Sequence, residues 1–166
     1  MRRKSQVQRL TAMAVLVAIG TVSSQFIWFP AGIAKAYPVQ HAINVLAAVL
    51  FGPLPAVTVA FLIGVLRNLL GVGTIFAFPG GMVGALLAGW LYRRKRLIRF
   101  AAAGEMIGTG ILGSLLSVPM ARIFFGEAKA VLAFVPGFLV SSTAGAIIGV
   151  IIVRYLQKLP LNGGRS

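Results

Sequence analysis

Long runs of apolar residues alternate along the chain with short segments rich in charged residues, proline or glycine. The runs have the length of membrane-spanning helices, and they lack the strict apolar–polar alternation of a membrane β-strand. Because lipid offers no hydrogen-bond partner to the backbone, the pattern predicts an all-α integral membrane protein, a bundle of about six transmembrane helices. We expect one transmembrane domain, residues 1–166, with spans at about residues 10–29, 39–51, 56–70, 80–92, 100–125 and 130–156.

Two of these predicted spans, 39–51 and 80–92, are short for a hydrocarbon core about 30 Å thick. Either they extend into the neighbouring loops, or the protein thins the membrane locally. A bundle with four or five full spans therefore stays open as an alternative.

The charge of the chain indicates how the bundle is oriented. Lys and Arg number 16 against 2 Asp and Glu, yet 58% of the residues are hydrophobic and the mean hydropathy is +0.94. In a soluble protein such charge would suggest nucleic-acid binding, but in so apolar a chain the cations mark helix ends. With six spans, most cations share one side, and the positive-inside rule places both termini in the cytoplasm. These cations are Arg2, Arg3, Lys4, Arg9, Arg93, Arg94, Lys95, Arg96, Arg99, Arg154, Lys158 and Arg165.

Polar side chains within the apolar runs form two groups. Gln40, His41 and Asn44 are spaced three and four residues apart, so they share one helix face. Arg67 and Asn68 lie near the end of the third predicted span, which the six-span topology brings to the same outer depth. Polar groups are expensive in lipid, so this convergence predicts a small-molecule pocket.

Aromatic residues border both groups, and Trp28, Tyr37 and Phe78 are the candidates for apolar pocket walls. Each of these features has a structural alternative. Aromatic residues also form interfacial belts, amides also join helices, and Arg67 could extend to the lipid headgroups.

Glu105, about one turn into the fifth predicted span, is a further candidate. It could line the floor of the pocket, but a structural ion pair with Arg99 or a cation of another span is the favoured interpretation.

Several chemistries have no residues to support them. The chain has no cysteine and a single histidine, so neither a disulfide nor a metal centre is expected. It also lacks a phosphate-binding loop and a catalytic triad, so we expect neither ATP hydrolysis nor another enzymatic activity in this chain. A bundle that binds a ligand but has no energy source suggests a subunit of a larger assembly.

Small residues recur every four positions on several spans, including Ala14 and Ala18 on the first. Such faces let helices approach closely. Most are expected to pack the bundle, and a face that points outward would dock another membrane protein.

Four stretches resemble the substrate-binding S components of energy-coupling factor (ECF) transporters, in particular the ThiW type. They are residues 36–44 (AYPVQHAIN), 67–71 (RNLLG), 78–89 (FPGGMVGALLAG) and 104–110 (GEMIGTG). The resemblance implies a six-helix S-component fold in a prokaryotic plasma membrane. It also implies uptake of a thiamine precursor, the hydroxyethylthiazole moiety, which would bind near the outer face under the first loop.

The resemblance further implies partners. The S component would topple in the membrane against a T component, driven by two cytoplasmic ATPase subunits that use ATP, while this chain binds no cofactor. The Ala-x-x-x-Ala docking motif of the family maps onto Ala14 and Ala18. Three alternatives stay open: a self-sufficient carrier or channel, an S component for another vitamin, and a membrane scaffold without a ligand.

Overall fold

The structure is a computed structural model that describes residues 5–31, 34–126 and 131–159. The α-helices in these ranges are α1 (Gln6–Phe26), α2 (Pro38–Phe51), α3 (Pro53–Leu69), α4 (Ala77–Lys95), α5 (Ile98–Ile107), α6 (Ser114–Phe125) and α7 (Val131–Lys158). A π-helical turn, Gly108–Gly113, joins α5 to α6 without a break. The described part of the chain therefore forms six continuous helical segments, and the predicted all-α membrane fold is confirmed.

The lengths and surfaces of the helices fit a membrane protein. Of the residues described, three segments are long and apolar enough to span a bilayer: Gln6–Phe26, Ile98–Phe124 and Phe134–Lys158. The apolar helices α2 and α3 are shorter, and the 14 residues of α2 reach only about 21 Å at about 1.5 Å per residue. Large apolar side chains cover the outside of the bundle, where lipid would surround them.

The fourth helix is longer than the predicted span 80–92, because α4 runs from Ala77 to Lys95. Pro79 does not prevent the earlier start, since the first turn of a helix has no intrahelical partner for its N–H groups. At the other end, Arg93, Arg94 and Lys95 belong to the last turn, where cations interact favourably with the helix dipole. The residue that follows the helix, Arg96, has a left-handed φ of 55°, which ends α4 at Lys95.

The segment after α1 is a β-hairpin, where the sequence predicted a continued span to Phe29 and then a loop. Strand β1 (Phe29–Ala31) pairs antiparallel with β2 (Ala34–Ala36), and Phe29 lies opposite Ala36. Helix α1 ends at Phe26, in keeping with Pro30, because the residue before a proline disfavours the helical conformation. The hairpin leads directly into α2.

Glycines bring α4 against the α5–π-turn segment at backbone distance. A Cβ on Gly104 would lie 2.6 Å from the backbone nitrogen of Ala88, and one on Gly108 would lie 2.6 Å from the Cα of Gly84. The predicted small-residue faces therefore pack helices inside the bundle here. The π-helical turn itself was not predicted.

Helix α2 lies at the centre of the bundle and packs against α1, α3, α4, α5 and α7. Almost all of its residues from Pro38 to Ala48 are buried. The polar face predicted from Gln40, His41 and Asn44 therefore points into the protein and not into lipid.

Candidate ligand-binding site

A cavity of about 330 Å³ lies at the end of the bundle where α2 and α4 begin. Its wall comes from the hairpin, α2, α3, α4, the π-helical turn, α7 and the segment between α3 and α4. The lining residues are Lys35, Tyr37, Gln40, His41, Arg67, Thr74, Phe76, Ala77, Gly80, Gly81, Thr109, Phe134, Gly137, Phe138 and Ser141. The volume is at the small end for a ligand site, and the mixture of aromatic walls and a few polar groups is typical of one.

A buried polar network centred on Glu105 lies beneath this cavity. Its Oε1 is 2.7 Å from Nδ1 of His41, and it accepts a hydrogen bond from Nδ2 of Asn44 at 3.0 Å. The Thr109 hydroxyl lies 2.9 Å from the same oxygen. Both Glu105 and Asn44 are fully buried, whereas His41 retains some exposure to the cavity. Three polar neighbours at one carboxylate oxygen make it possible to bury the acid far from water.

The network is fastened to the first turns of α4. Nδ2 of Asn44 also donates to the carbonyl oxygen of Gly81 at 3.1 Å. The Thr109 hydroxyl lies 3.0 Å from the carbonyl oxygen of Gly80. Since the hydroxyl has a single proton, Glu105 and Gly80 compete for it. Gly84 makes room for the acid, because a Cβ there would lie 2.7 Å from the Oε2 of Glu105.

Arg67 forms a second polar centre, on the cavity wall. It is 3% exposed and donates to Oε1 of Gln40 and, at 3.2 Å, to the carbonyl oxygen of Val72. The guanidinium carbon lies 3.8 Å from the centroid of the Tyr37 ring, a cation–π arrangement. The backbone N–H of Tyr37 in turn donates to Oγ of Ser141 at 2.8 Å, which ties the start of α2 to α7.

The structure brings four of the predicted site residues to the cavity and two beneath it. Tyr37, Gln40, His41 and Arg67 line the cavity, while Asn44 and Glu105 support it from below. Of the partners considered for Glu105, Arg99 is not in contact with it among the described residues. Glu105 lies two turns into α5, level with the first half of α2, and its partner is His41 of that helix.

The other three predicted residues lie outside the cavity wall. The ring of Trp28 packs under the ammonium group of Lys35, 4.0 Å away. Asn68 donates to the carbonyl oxygens of Gly64 and Thr74 and so holds the segment between α3 and α4. Phe78 packs against Phe61.

Some lining residues were not predicted. Thr109 is four residues after Glu105 and so shares its helix face, a signal that was present in the sequence. Phe134, Phe138 and Ser141 are on α7, where aromatic and small polar residues in a long apolar helix carry no distinguishing pattern.

Ala14 and Ala18, the predicted docking residues, are both exposed on α1. The buried face of α1 instead contains Leu16, Val17 and Gly20. The exposed position fits a contact with another protein, and the docking role stays a prediction.

Comparison with solved structures assigns the class of fold. The chain is similar to the S component of a bacterial ECF transporter, with a TM-score of 0.79, 24% sequence identity and coverage of 95% of this chain and 100% of that one. The six-helix arrangement is therefore that of an ECF S component. Comparison with curated protein sequences gave no significant match.

The sequence places the chain in a particular family. The family model for ThiW, thiamine-precursor transporter protein, matches residues 10–159. The chain belongs to the ThiW family, and it is a transporter protein and not an enzyme. The resemblance described from the sequence is thereby confirmed.

Proposed function

We propose that this chain is the substrate-binding S component of an ATP-driven ECF transporter that imports the thiazole precursor of thiamine, hydroxyethylthiazole or a derivative. Membership of the ThiW family supports a thiamine precursor, and the fold supports the S-component role. The observation that carries the proposal is the cavity of about 330 Å³, whose wall combines aromatic rings with the polar side chains of Gln40, His41 and Arg67.

The size and chemistry of the cavity suit a small heterocycle with a polar arm. Phe76, Phe134 and Phe138 supply flat apolar walls against which a ring can pack. Nδ1 of His41 is engaged by Glu105, so Nε2 is the ring nitrogen left to bond a ligand hydroxyl or ring nitrogen.

Energy and orientation complete the proposal. The chain sits in a prokaryotic plasma membrane with both termini in the cytoplasm, so the cavity, at the opposite end of the bundle from Arg93, Arg94 and Lys95, faces outward. A T component docks on the face that holds Ala14 and Ala18, and two partner ATPases consume ATP. This chain contributes ligand binding and needs no cofactor of its own.

The test is a thermal-shift and calorimetric screen of the detergent-purified chain against hydroxyethylthiazole, its phosphate ester, a carboxylated thiazole and thiamine. A ligand that binds the native state raises its apparent stability, so at least one thiazole should increase the melting temperature. No shift with any member, from a chain shown to be folded, would contradict the thiazole assignment.

A flux assay separates the transport alternatives. Liposomes that contain only this chain should accumulate no thiazole, and addition of the T component and ATPases with ATP should start uptake. Flux by the chain alone would favour a self-sufficient carrier. A chain that binds no small molecule and tolerates the substitutions Asn44→Ala and Arg67→Ala would favour a scaffold.

A further inference from the structure

Arg67 is a buried cation whose described acceptors are all neutral. It is 3% exposed, and its guanidinium donates to the side-chain oxygen of Gln40 and the main-chain oxygen of Val72. Its Nε is buried without a hydrogen-bond partner among the residues described. Burying a charge is costly unless an opposite charge compensates it, and the described part of the chain places no anion beside this guanidinium.

The chain has few acids that could supply that anion. Its two carboxylates are Glu105 and Glu127. Oε1 of Glu105 is occupied by His41, Asn44 and Thr109, and its Oε2 has no hydrogen-bond partner among the described residues, so the acid does not pair with Arg67 there. Glu127 lies outside the described residues.

A second cation lines the same cavity. Lys35, on β2, is exposed and belongs to the cavity wall together with Arg67. Glu105 lies below the cavity and is joined to His41. The side chains of Lys35 and Arg67 therefore give the cavity wall an excess of positive charge. A cavity lined by one sign of charge attracts a ligand of the other sign.

Two helix N-termini add to this field. Tyr37, the residue before α2, and Ala77, the first residue of α4, both line the cavity. Neither helix has an acidic residue in its first turn or a side-chain cap. The positive ends of both helix dipoles are therefore directed at the cavity, and neither described helix caps its own end with an acidic side chain.

On these grounds, and resting on the proposed function above, we propose that the substrate is an anionic thiazole, one whose ring bears a carboxylate or a phosphate ester, and that Arg67 and Lys35 bind its anionic group. A guanidinium presents a planar set of donors that matches both groups, whereas a neutral hydroxyethyl arm would leave its charge unpaired. The cavity volume admits one ring with such an arm.

Calorimetry with the detergent-purified chain tests the charge of the ligand. The carboxylated thiazole or the phosphate ester should bind about 10- to 100-fold more tightly than neutral hydroxyethylthiazole, the range expected for hydrogen bonds to a charged partner. Whichever anion binds identifies the group. Equal or tighter binding of the neutral alcohol would overturn the inference and leave the proposed function standing, whereas absence of binding by every thiazole would remove both.

Variants test the two cations. Lys35→Gln should weaken binding of the anionic thiazole several-fold and weaken binding of the neutral alcohol by a smaller factor. Because Lys35 is exposed, the variant is expected to fold. Arg94→Gln is the matched control, since Arg94 also lies over a tryptophan, 5.1 Å from the centroid of Trp90, but far from the cavity. It should alter neither affinity.

Arg67→Gln should abolish the preference for the anion, and Arg67→Lys, which keeps the charge but loses the planar donor set, should restore part of it. If Arg67→Gln fails to fold, the Lys35→Gln and Arg67→Lys affinities decide the question. Equal losses for the charged and neutral ligands in these variants would assign the two cations a structural role and contradict the inference.

Discussion

Nδ1 of His41, on the central helix, lies 2.7 Å from Oε1 of Glu105, on α5. The carboxylate is fully buried, while the imidazole lines the cavity. An ionised carboxylate holds the proton of its histidine partner on the nearer nitrogen, which fixes the tautomer and the orientation of the ring. We therefore expect Glu105 to act on a ligand through His41, as a positioning residue.

Substitution of both partners should reveal this coupling. Glu105→Gln keeps the shape of the side chain but loses its charge, so the His41 ring is no longer held in one tautomer. The affinity for the thiazole should therefore fall by about 1 to 3 kcal/mol. In a double-mutant cycle with His41→Gln, the two losses should be less than additive by at least about 0.5 kcal/mol. The measurement is calorimetric affinity of all four proteins for the same thiazole.

Two controls make the cycle decisive. A melting temperature for each variant shows that it is folded in detergent. A cycle between His41→Gln and Thr58→Ala, which removes an exposed hydroxyl on α3, should be additive. Additive losses for Glu105 and His41 as well would show that Glu105 does not act through the histidine.

The part of the site that the sequence predicted consists of residues whose chemistry is out of place in lipid. Gln40, His41 and Arg67 are polar groups inside apolar runs, and a polar group in such a place has few explanations. All three line the cavity. The fold was predictable for the same reason, because the length of the apolar runs leaves helices as the available structure.

The remaining part depends on relationships between elements that the sequence does not encode locally. Lys35 reaches the cavity because a hairpin forms where a loop was expected. The partner of Glu105 depends on how deeply α5 lies beside α2, which is set by the backbone contact of Gly104 and Gly108 with α4. Phe134 and Phe138 are apolar residues on an apolar helix, so only the packing reveals that they face a cavity.

The two buried or half-buried asparagines should differ in their effects. Asn44 is fully buried and donates to Glu105 and to the carbonyl oxygen of Gly81. Asn44→Ala leaves both acceptors without this donor, so it should destabilise the protein by about 1 to 3 kcal/mol and weaken ligand binding. Asn68→Ala removes bonds within one partly exposed segment and should cost about 1 kcal/mol or less.

Thermal unfolding and calorimetry on both variants check this expectation. Asn44→Asp is a further test, because it places a second acid beside Glu105 and should destabilise more than alanine. A larger affinity loss for Asn68→Ala than for Asn44→Ala would show that the segment between α3 and α4, and not the buried network, controls binding.

Gly84 is the residue of α4 whose missing side chain makes room for the buried acid. A Cβ there would overlap the Thr109 hydroxyl and lie 2.7 Å from the Oε2 of Glu105, so Gly84→Ala should displace both side chains and lower both stability and ligand affinity. Overpacking of this kind typically costs about 1 to 3 kcal/mol.

Gly89→Ala is the matched control on the same helix. Its Cβ would lie 2.6 Å from the backbone nitrogen of Pro53, at the start of α3 and away from the cavity. It should lower the melting temperature by a similar amount and leave the affinity of the residual folded protein unchanged. Equal affinity losses in the two variants would mean that helix packing in general, rather than the position of Glu105, limits binding.

The exposed face of α1 should matter for transport and not for binding. Ala14 and Ala18 lie one turn apart on the lipid-facing side, and a large side chain there would hold a partner helix at a distance. Ala14→Trp should therefore abolish uptake in liposomes that contain the T component, the ATPases and ATP, while calorimetric affinity for the thiazole stays unchanged. Thr58→Trp places the same bulk on an exposed position of α3 and should transport normally. Because α1 turns Leu16 and Val17 inward, a loss of affinity in Ala14→Trp would require α1 to rotate in the bundle. Normal uptake by Ala14→Trp would exclude this face of α1 as the docking surface.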